Sequence, residues 1–141
     1  GEGSTPLHLA CYGGHPAAAR YLVERHGADP SRTNDWGCGC SHWAGMTISD
    51  SEADVRALCN YLSRDCGVSF VEPQGQGHTA LHKAAHRTNR HVVRWMADPG
   101  GAGLSESEMR AAGAPDLGGH RPSDIWNNMG GDGAFGEWMK T

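Results

Sequence analysis

Gly3-Ser4-Thr5-Pro6-Leu7-His8-Leu9-Ala10 is the stretch around which the chain is organised, because versions of it return three times. Gly37-Cys38-Gly39-Cys40-Ser41-His42-Trp43-Ala44 keeps the Gly, His and Ala at a shift of 34 residues. Gly77-His78-Thr79-Ala80-Leu81-His82-Lys83-Ala84 keeps Gly, Thr, Leu, His and Ala at a shift of 74. Gly119-His120-Arg121-Pro122-Ser123-Asp124-Ile125-Trp126 keeps only the Gly and the Pro, at a shift of 116.

The second half of each unit carries its own landmark. Ala18-Ala19-Arg20-Tyr21-Leu22 aligns with Leu58-Cys59-Asn60-Tyr61-Leu62 and with Val92-Val93-Arg94-Trp95-Met96, each running apolar, apolar, polar, aromatic, apolar. A Thr-Pro-Leu-His-x-Ala opening that returns every 33 or so residues resembles the ankyrin repeat. The resemblance implies an all-α fold: an ankyrin-repeat solenoid of stacked helix-turn-helix units with projecting hairpin loops. One domain over 1–141 is expected, with repeats at about 1–33, 34–73, 74–115 and 116–141.

The bulk numbers suit that picture. With 141 residues the chain has the length of one domain. A hydrophobic share of 38% and 21 glycines fit a thin stack better than a deep globular core. Such a stack buries apolar surface between neighbours, so at least three units are needed for stability. The net charge of −4 supplies no basic field for nucleic acid or anionic lipid. No apolar run approaches the length of a membrane span. Five cysteines, an odd number in mostly apolar settings, point to a reducing compartment. The expected location is intracellular and cytoplasmic. A first residue that is Gly rather than Met suggests a piece of something longer, or a processed chain.

Local signals set the expected elements. Thr5 caps a first helix with Pro6 at its first turn, and Gly13-Gly14 stops it. His15-Pro16 opens a second helix packed through Ala18, Ala19, Leu22 and Val23, and Gly27 ends it in the left-handed conformation. Asp29 to Trp36 is expected as the projecting hairpin loop. Repeat two lacks the Thr-Pro cap, so its first helix is expected to be less well pinned. Its extra residues, 46–53, read as a surface loop, with Asp50 or Ser51 capping a lengthened second helix that runs to Arg64. In repeat three a second insertion, 103–113, contains Ser105-Glu106-Ser107-Glu108, which has the form of a capping box and predicts a short extra helix up to Gly113. Phe135, Trp138 and Met139 give the closing helix, from about Asp132, one apolar face, as befits a terminal cap.

Chemistry-bearing clusters reduce to repeat positions. Cys38-Gly39-Cys40-Ser41-His42 has zinc-ligand residue types, but His42 sits at the repeat's own His position and no second Cys pair follows at ligand spacing. No metal is expected. His8, His42 and His82 should form a ladder up the stack, continued by Asp124, and a pH-sensing role stays open because imidazole titrates near neutrality. There is no nucleophile with a base and an orienting acid, and Gly130-Gly131-Asp132-Gly133 lacks the Lys of a phosphate loop. Neither catalytic residues nor a cofactor are expected.

The ankyrin resemblance implies a non-catalytic module that binds another protein through hairpin tips and the concave first-helix face. Carried over by position, that face includes Glu2, Ser4 and Tyr12, then Asp35, Trp36, Cys38, Met46 and Thr47. From the later repeats it takes Gln76, His78, His86, Arg87, Leu117, His120 and Asn128. The residues expected to matter most are Asp35, Trp36, Cys38, Met46, His78, His86 and Arg87, since Trp, Met and Arg are favoured at interface centres. Arg20, Glu24, Asn60 and Arg64 on the second helices read as a solvated face. Two other roles stay open: a structural subunit of a larger assembly, or a regulatory ankyrin appendage of a longer enzyme. The partner is thus another protein, with no nucleic acid and no membrane insertion, and the chain itself a monomeric domain or a subunit of a hetero-complex.

Overall fold

The structure is a computed structural model that describes residues 3–139. Its helices come in pairs. The first pair is α1 (Pro6–Gly13) and α2 (Pro16–His26), the second α3 (Cys40–Gly45) and α4 (Glu52–Asn60). The third is α5 (Ala80–His86) and α6 (Arg90–Ala97), the fourth α8 (Pro122–Asn128) and α9 (Gly133–Met139). The short α7 (Glu106–Ala112) stands between the last two pairs. The first helices pack in series, α1 on α3, α3 on α5, α5 on α8, and the second helices do the same, α2 on α4, α4 on α6, α6 on α9. Among the described residues there is no β-strand. The fold is therefore the all-α stack of helix-turn-helix units that the repeats predict.

Caps explain where the helices begin and end. Thr5 and Thr79 accept the N–H of the residue three positions on, His8 and His82 respectively. Gly39 occupies the same place in repeat two with no side chain to offer, and α3 is the shortest of the first helices. Gly14 and Gly27 end α1 and α2 in the left-handed region, at φ of 70° and 65°. Ser105 and Glu108 form the reciprocal capping box of α7, and Asp132 accepts the N–H of Ala134 at the start of α9.

The core runs along the inside of both helix rows. Leu7, Leu81, Val55, Leu58, Leu62, Val92, Val93 and Met96 are all almost completely buried. Trp95 is buried with its indole N–H donated to Asn60 Oδ1 at 2.8 Å, and Phe70 meets its ring edge-on at 4.7 Å. Trp126 replaces the repeat Ala in the last unit and fills the space under α9, donating to the Asp132 carbonyl at 2.7 Å. Of the expected α2 packing face only Ala19 is fully buried; Ala18 is exposed, because α2 packs on α1 and α4 and has no neighbour on its other side among the described residues.

The insertion at 46–53 is more than the surface loop read from the sequence. Residues 46–53 fold back over the turn between α1 and α2: Thr47 Oγ1 and the Ile48 N–H both donate to the Tyr12 carbonyl at 2.9 Å. From the other side Asn89 Nδ2 donates to the Gly45 carbonyl at 3.2 Å, so the insertion is pinned between repeats one and three. Ser51, not Asp50, caps α4, and the helix continues past Asn60 as a π-turn, Tyr61–Asp65.

Candidate functional site

The repeat His builds the scaffold beneath the site. His8 Nδ1 accepts the Thr5 N–H at 3.1 Å, His42 Nδ1 the Gly39 N–H at 3.0 Å and His82 Nδ1 the Thr79 N–H at 3.1 Å. With Nδ1 an acceptor, the proton sits on Nε2, which donates to a carbonyl in the loop leading to the next unit. Those carbonyls are Arg32 at 2.9 Å, His78 at 3.0 Å and His120 at 3.0 Å. Asp124 continues the first half of the pattern, accepting the Arg121 N–H at 3.3 Å. Burial holds His42 down at about 4 and pushes His82 below the ordinary imidazole value. Both stay neutral, as the ladder requires.

Each loop ends in the same tight hairpin. Asn34, Gln74 and Asp116 pair their N–H groups with the carbonyls of Cys38, His78 and His120. Their side-chain oxygens accept N–H groups from the far side of the turn, including those of Cys38, His78 and His120. The turn is closed by Gly37, Gly77 and Gly119, at φ of 80°, 85° and 82°, where a side chain would be strained. The tips are also joined to each other: the Gly75 N–H donates to the Trp36 carbonyl at 3.0 Å and the Leu117 N–H to the Gln76 carbonyl at 2.9 Å. A rigid ribbon of backbone thus carries the side chains at positions 35, 36, 76 and 117. The tip sits at residues 35–37, at the far end of the segment read as hairpin from the sequence.

Two adjacent clefts lie where this ribbon meets the first helices. One, of about 350 Å³, has Met46, His78, Lys83, His86, Arg87 and Ile125 in its walls, with Asp116, His82 and His120 toward the hairpins. The other, also about 350 Å³, is lined by Trp36, Trp43, Met46, Gln74, Gln76 and Lys83. Met46 and Lys83 belong to both. Trp36 is 54% exposed and forms a wall of the second cleft. His78 is tied to Asp116 Oδ2 at 3.0 Å and stacks on His82. Burial and the neighbouring Lys83 ammonium hold it below the usual imidazole range.

Several expected site residues come together here: Trp36, Met46, His78, His86 and Arg87 line one cleft or the other, and Asp35 is exposed beside Trp36 at the tip. Cys38 is corrected. It is only 5% exposed, beside Gln74, and contributes to the floor of the second cleft rather than to the tip surface. Thr47 is likewise buried on the Tyr12 carbonyl, and Glu2 lies outside the described residues. Sequence reasoning passed over Trp43, Lys83 and Ile125. They follow the ladder residue directly in three successive units, as Leu9 does in the first, and that shared column was the available signal.

The Cys-x-Cys-x-His stretch has another use. Both ring nitrogens of His42 are engaged in the ladder. Cys40 is buried next to Cys11, whose thiol is pushed up by its hydrogen bond to Cys40 and by burial. Among the described residues no group of three or more His, Cys, Asp or Glu is placed to hold a metal ion. All five cysteines are thiols, four of them buried. No helix among the described residues is long and apolar enough to cross a membrane.

On the second-helix side Arg20, Glu24 and Arg64 are exposed and Asn60 is half-buried. Asn60 holds the Trp95 indole, and Arg64 donates to the carbonyls of Gly100 and Gly101 at 2.8 and 2.9 Å. These two residues tie neighbouring repeats together, Arg64 while still exposed.

Compared with known proteins, residues 2–35 match the family model described as Ankyrin repeat, and no curated protein matches the chain. The matched residues hold α1, α2 and the loop up to the first hairpin tip, and the following pairs stack upon them with the same ladder and the same turns. Ankyrin repeats generally serve as protein–protein interaction modules and are typically non-catalytic. Residues 2–35 are thus similar to an ankyrin repeat, and the helix pairs that follow repeat its architecture.

Proposed function

We propose that the chain is a protein-interaction module that holds its partner along the hairpin tips and the exposed side of α3, α5 and α8. The observation that carries this reading is the contrast between the two faces. On the second-helix side three of the cations are matched, Arg20 with Glu24, Arg56 with Asp98 and Arg94 with Glu52, and among the described residues no exposed aromatic stands beside a cleft there. On the tip side stand exposed Trp36 and Leu117, the half-buried Met46, and Lys83 and Arg87, neither of which has an ion-pair partner among the described residues. Aromatic, Met and Arg side chains on a rigid support are what an interface centre requires. Asp35, Trp36, Met46, His78, His86 and Arg87 make up the proposed contact set.

The test is a partner captured by the chain and then measured against variants. Trp36→Ala and Arg87→Ala are each expected to weaken binding by ~1–3 kcal/mol, the range for truncated anchors. Arg20→Ala is expected to leave it unchanged. All three variants must melt within a few degrees of the parent. Loss of binding on Arg20→Ala with silent tip variants would place the partner on the second helices instead.

A further inference from the structure

We propose that the cleft around Lys83 and Arg87 receives a carboxylate side chain from an extended, acidic segment of the partner protein, with apolar residues of the same segment seated about three positions to either side. This rests on the interaction reading above and adds the chemistry of the occupant.

The charge pattern comes first. The Lys83 ammonium lies 3.3 Å from His78 Nδ1, and the Arg87 guanidinium stands 5.8 Å above the Tyr12 ring. Neither has an ion-pair partner among the described residues, and the two line the same cleft, so their charges add at one place. The chain carries four more acids than bases, so unmatched cations here do not reflect a shortage of carboxylates. Asp116, the acid in the cleft wall, is 5% exposed at its side chain. Its Oδ1 accepts the N–H groups of Gly118 and His120, and its Oδ2 meets His78 at 3.0 Å. Its charge is turned into the hairpin, and the opening of the cleft is left positive. Exposed His86 and His120 add donors around the rim.

The walls supply the rest. Neighbouring helices pack ~10 Å apart, and an extended chain advances ~3.3 Å per residue. One repeat along the stack therefore corresponds to roughly three residues of an extended segment. One repeat before Lys83 stand Trp43 and Met46; one repeat after it stands Ile125. The fitting pattern is apolar, two spacers, acid, two spacers, apolar. A phosphodiester backbone would meet the same apolar walls on both sides and a chain of net charge −4 beyond them, which favours a peptide carboxylate.

Four pools of fluorescein-labelled peptides of this pattern test the proposal, identical except for Glu, Gln, Lys or phosphoserine at the centre. Fluorescence anisotropy against the chain should rank the Glu pool first, roughly tenfold tighter than Gln, the effect of two partly exposed cations on one carboxylate. The double variant Lys83→Gln, Arg87→Gln should lose that preference while melting within a few degrees of the parent. If the double variant melts early, the Glu-over-Gln ratio in the parent decides alone. Equal binding of the Glu and Gln pools, preference for Lys, binding of phosphoserine where Glu fails, or no binding by any pool overturns the proposal. The interaction face is judged separately. A captured partner lost on Trp36→Ala keeps the face and removes only the carboxylate, whereas one lost on Arg20→Ala removes both.

Discussion

At Gly45 the absence of one carbon atom sets how closely two repeats approach. A Cβ there would lie 2.7 Å from the Ala80 carbonyl oxygen and 3.3 Å from Lys83 Cβ. The first of these is backbone, fixed in the opening turn of α5, and cannot swing aside. Gly45→Ala is expected to cost ~1–3 kcal/mol through overpacking, read by urea unfolding, although alanine is the better helix former. Gly39 is the opposite case. Its backbone is extended, φ −108° and ψ −168°, close to that of Thr5 and Thr79, and a Cβ would meet nothing nearer than Thr33 Cγ2 at 3.6 Å. Gly39→Thr therefore supplies the cap that repeat two lacks and is expected to raise stability by ~0.5–1 kcal/mol. An unchanged or lower urea midpoint would show that α3 does not need it. The proline of the repeat opening is not transferable with the threonine, since Cys40 is buried beside Cys11 while Pro6 is exposed.

Among the elements, α4 with its π-turn shows what a repeat pattern hides. The extra residues of repeat two and their cap candidates predicted a lengthened second helix to Arg64, and the helical path does run to Asp65. The wider turn, closed by the Cys66 N–H on the Tyr61 carbonyl at 3.1 Å, follows from tertiary packing and leaves no mark in the spacing. Tyr61 lies under the Arg20 guanidinium at 4.5 Å, and Arg64 is directed at the Gly100 and Gly101 carbonyls. Helix starts at Thr5, Thr79 and Ser105 were legible because a cap is a local contract between residues three apart. The pinning of 46–53 was not, since its partners Tyr12 and Asn89 are more than thirty residues away and their side chains carry no spacing signal. The site divides in the same way. The tip and first-helix residues Trp36, Met46, His86 and Arg87 follow from repeat alignment, whereas the burial of Cys38 depends on Gln74 from the next unit. Arg64→Ala removes two hydrogen bonds between neighbouring repeats. It is expected to lower stability by ~1–2 kcal/mol, seen as faster amide exchange in residues 95–102, without touching the proposed contact face.

Across the whole molecule the three histidines tie four units in series, and the neutral state of buried His42 and His82 makes the stack sensitive to acid. Each must keep Nδ1 bare to accept an N–H from its own helix start. Protonation would turn that acceptor into a donor facing a donor. His42 illustrates the sign. Burial lowers its folded value to about 4 from the model-peptide 6.5, so the folded state binds the proton less readily than the unfolded chain. Its contribution is complete above pH 6.5, erodes as the pH falls below that value, and is gone once the pH passes below about 4. For a side chain as buried as this one, the shift corresponds to on the order of 3 kcal/mol, with His82 adding in the same direction. In a solenoid each unit is stabilised chiefly by its neighbours, so weakening the rung between repeats two and three lowers the cooperativity of the whole stack. Urea midpoints measured from pH 7 down to pH 4.5 are expected to fall steadily. In His42→Gln, which begins less stable at pH 7 because one rung is gone, the fall should be shallower. A wild-type midpoint that holds level across that range would mean that the imidazoles do not control the stack, and that its acid sensitivity lies with the carboxylates alone.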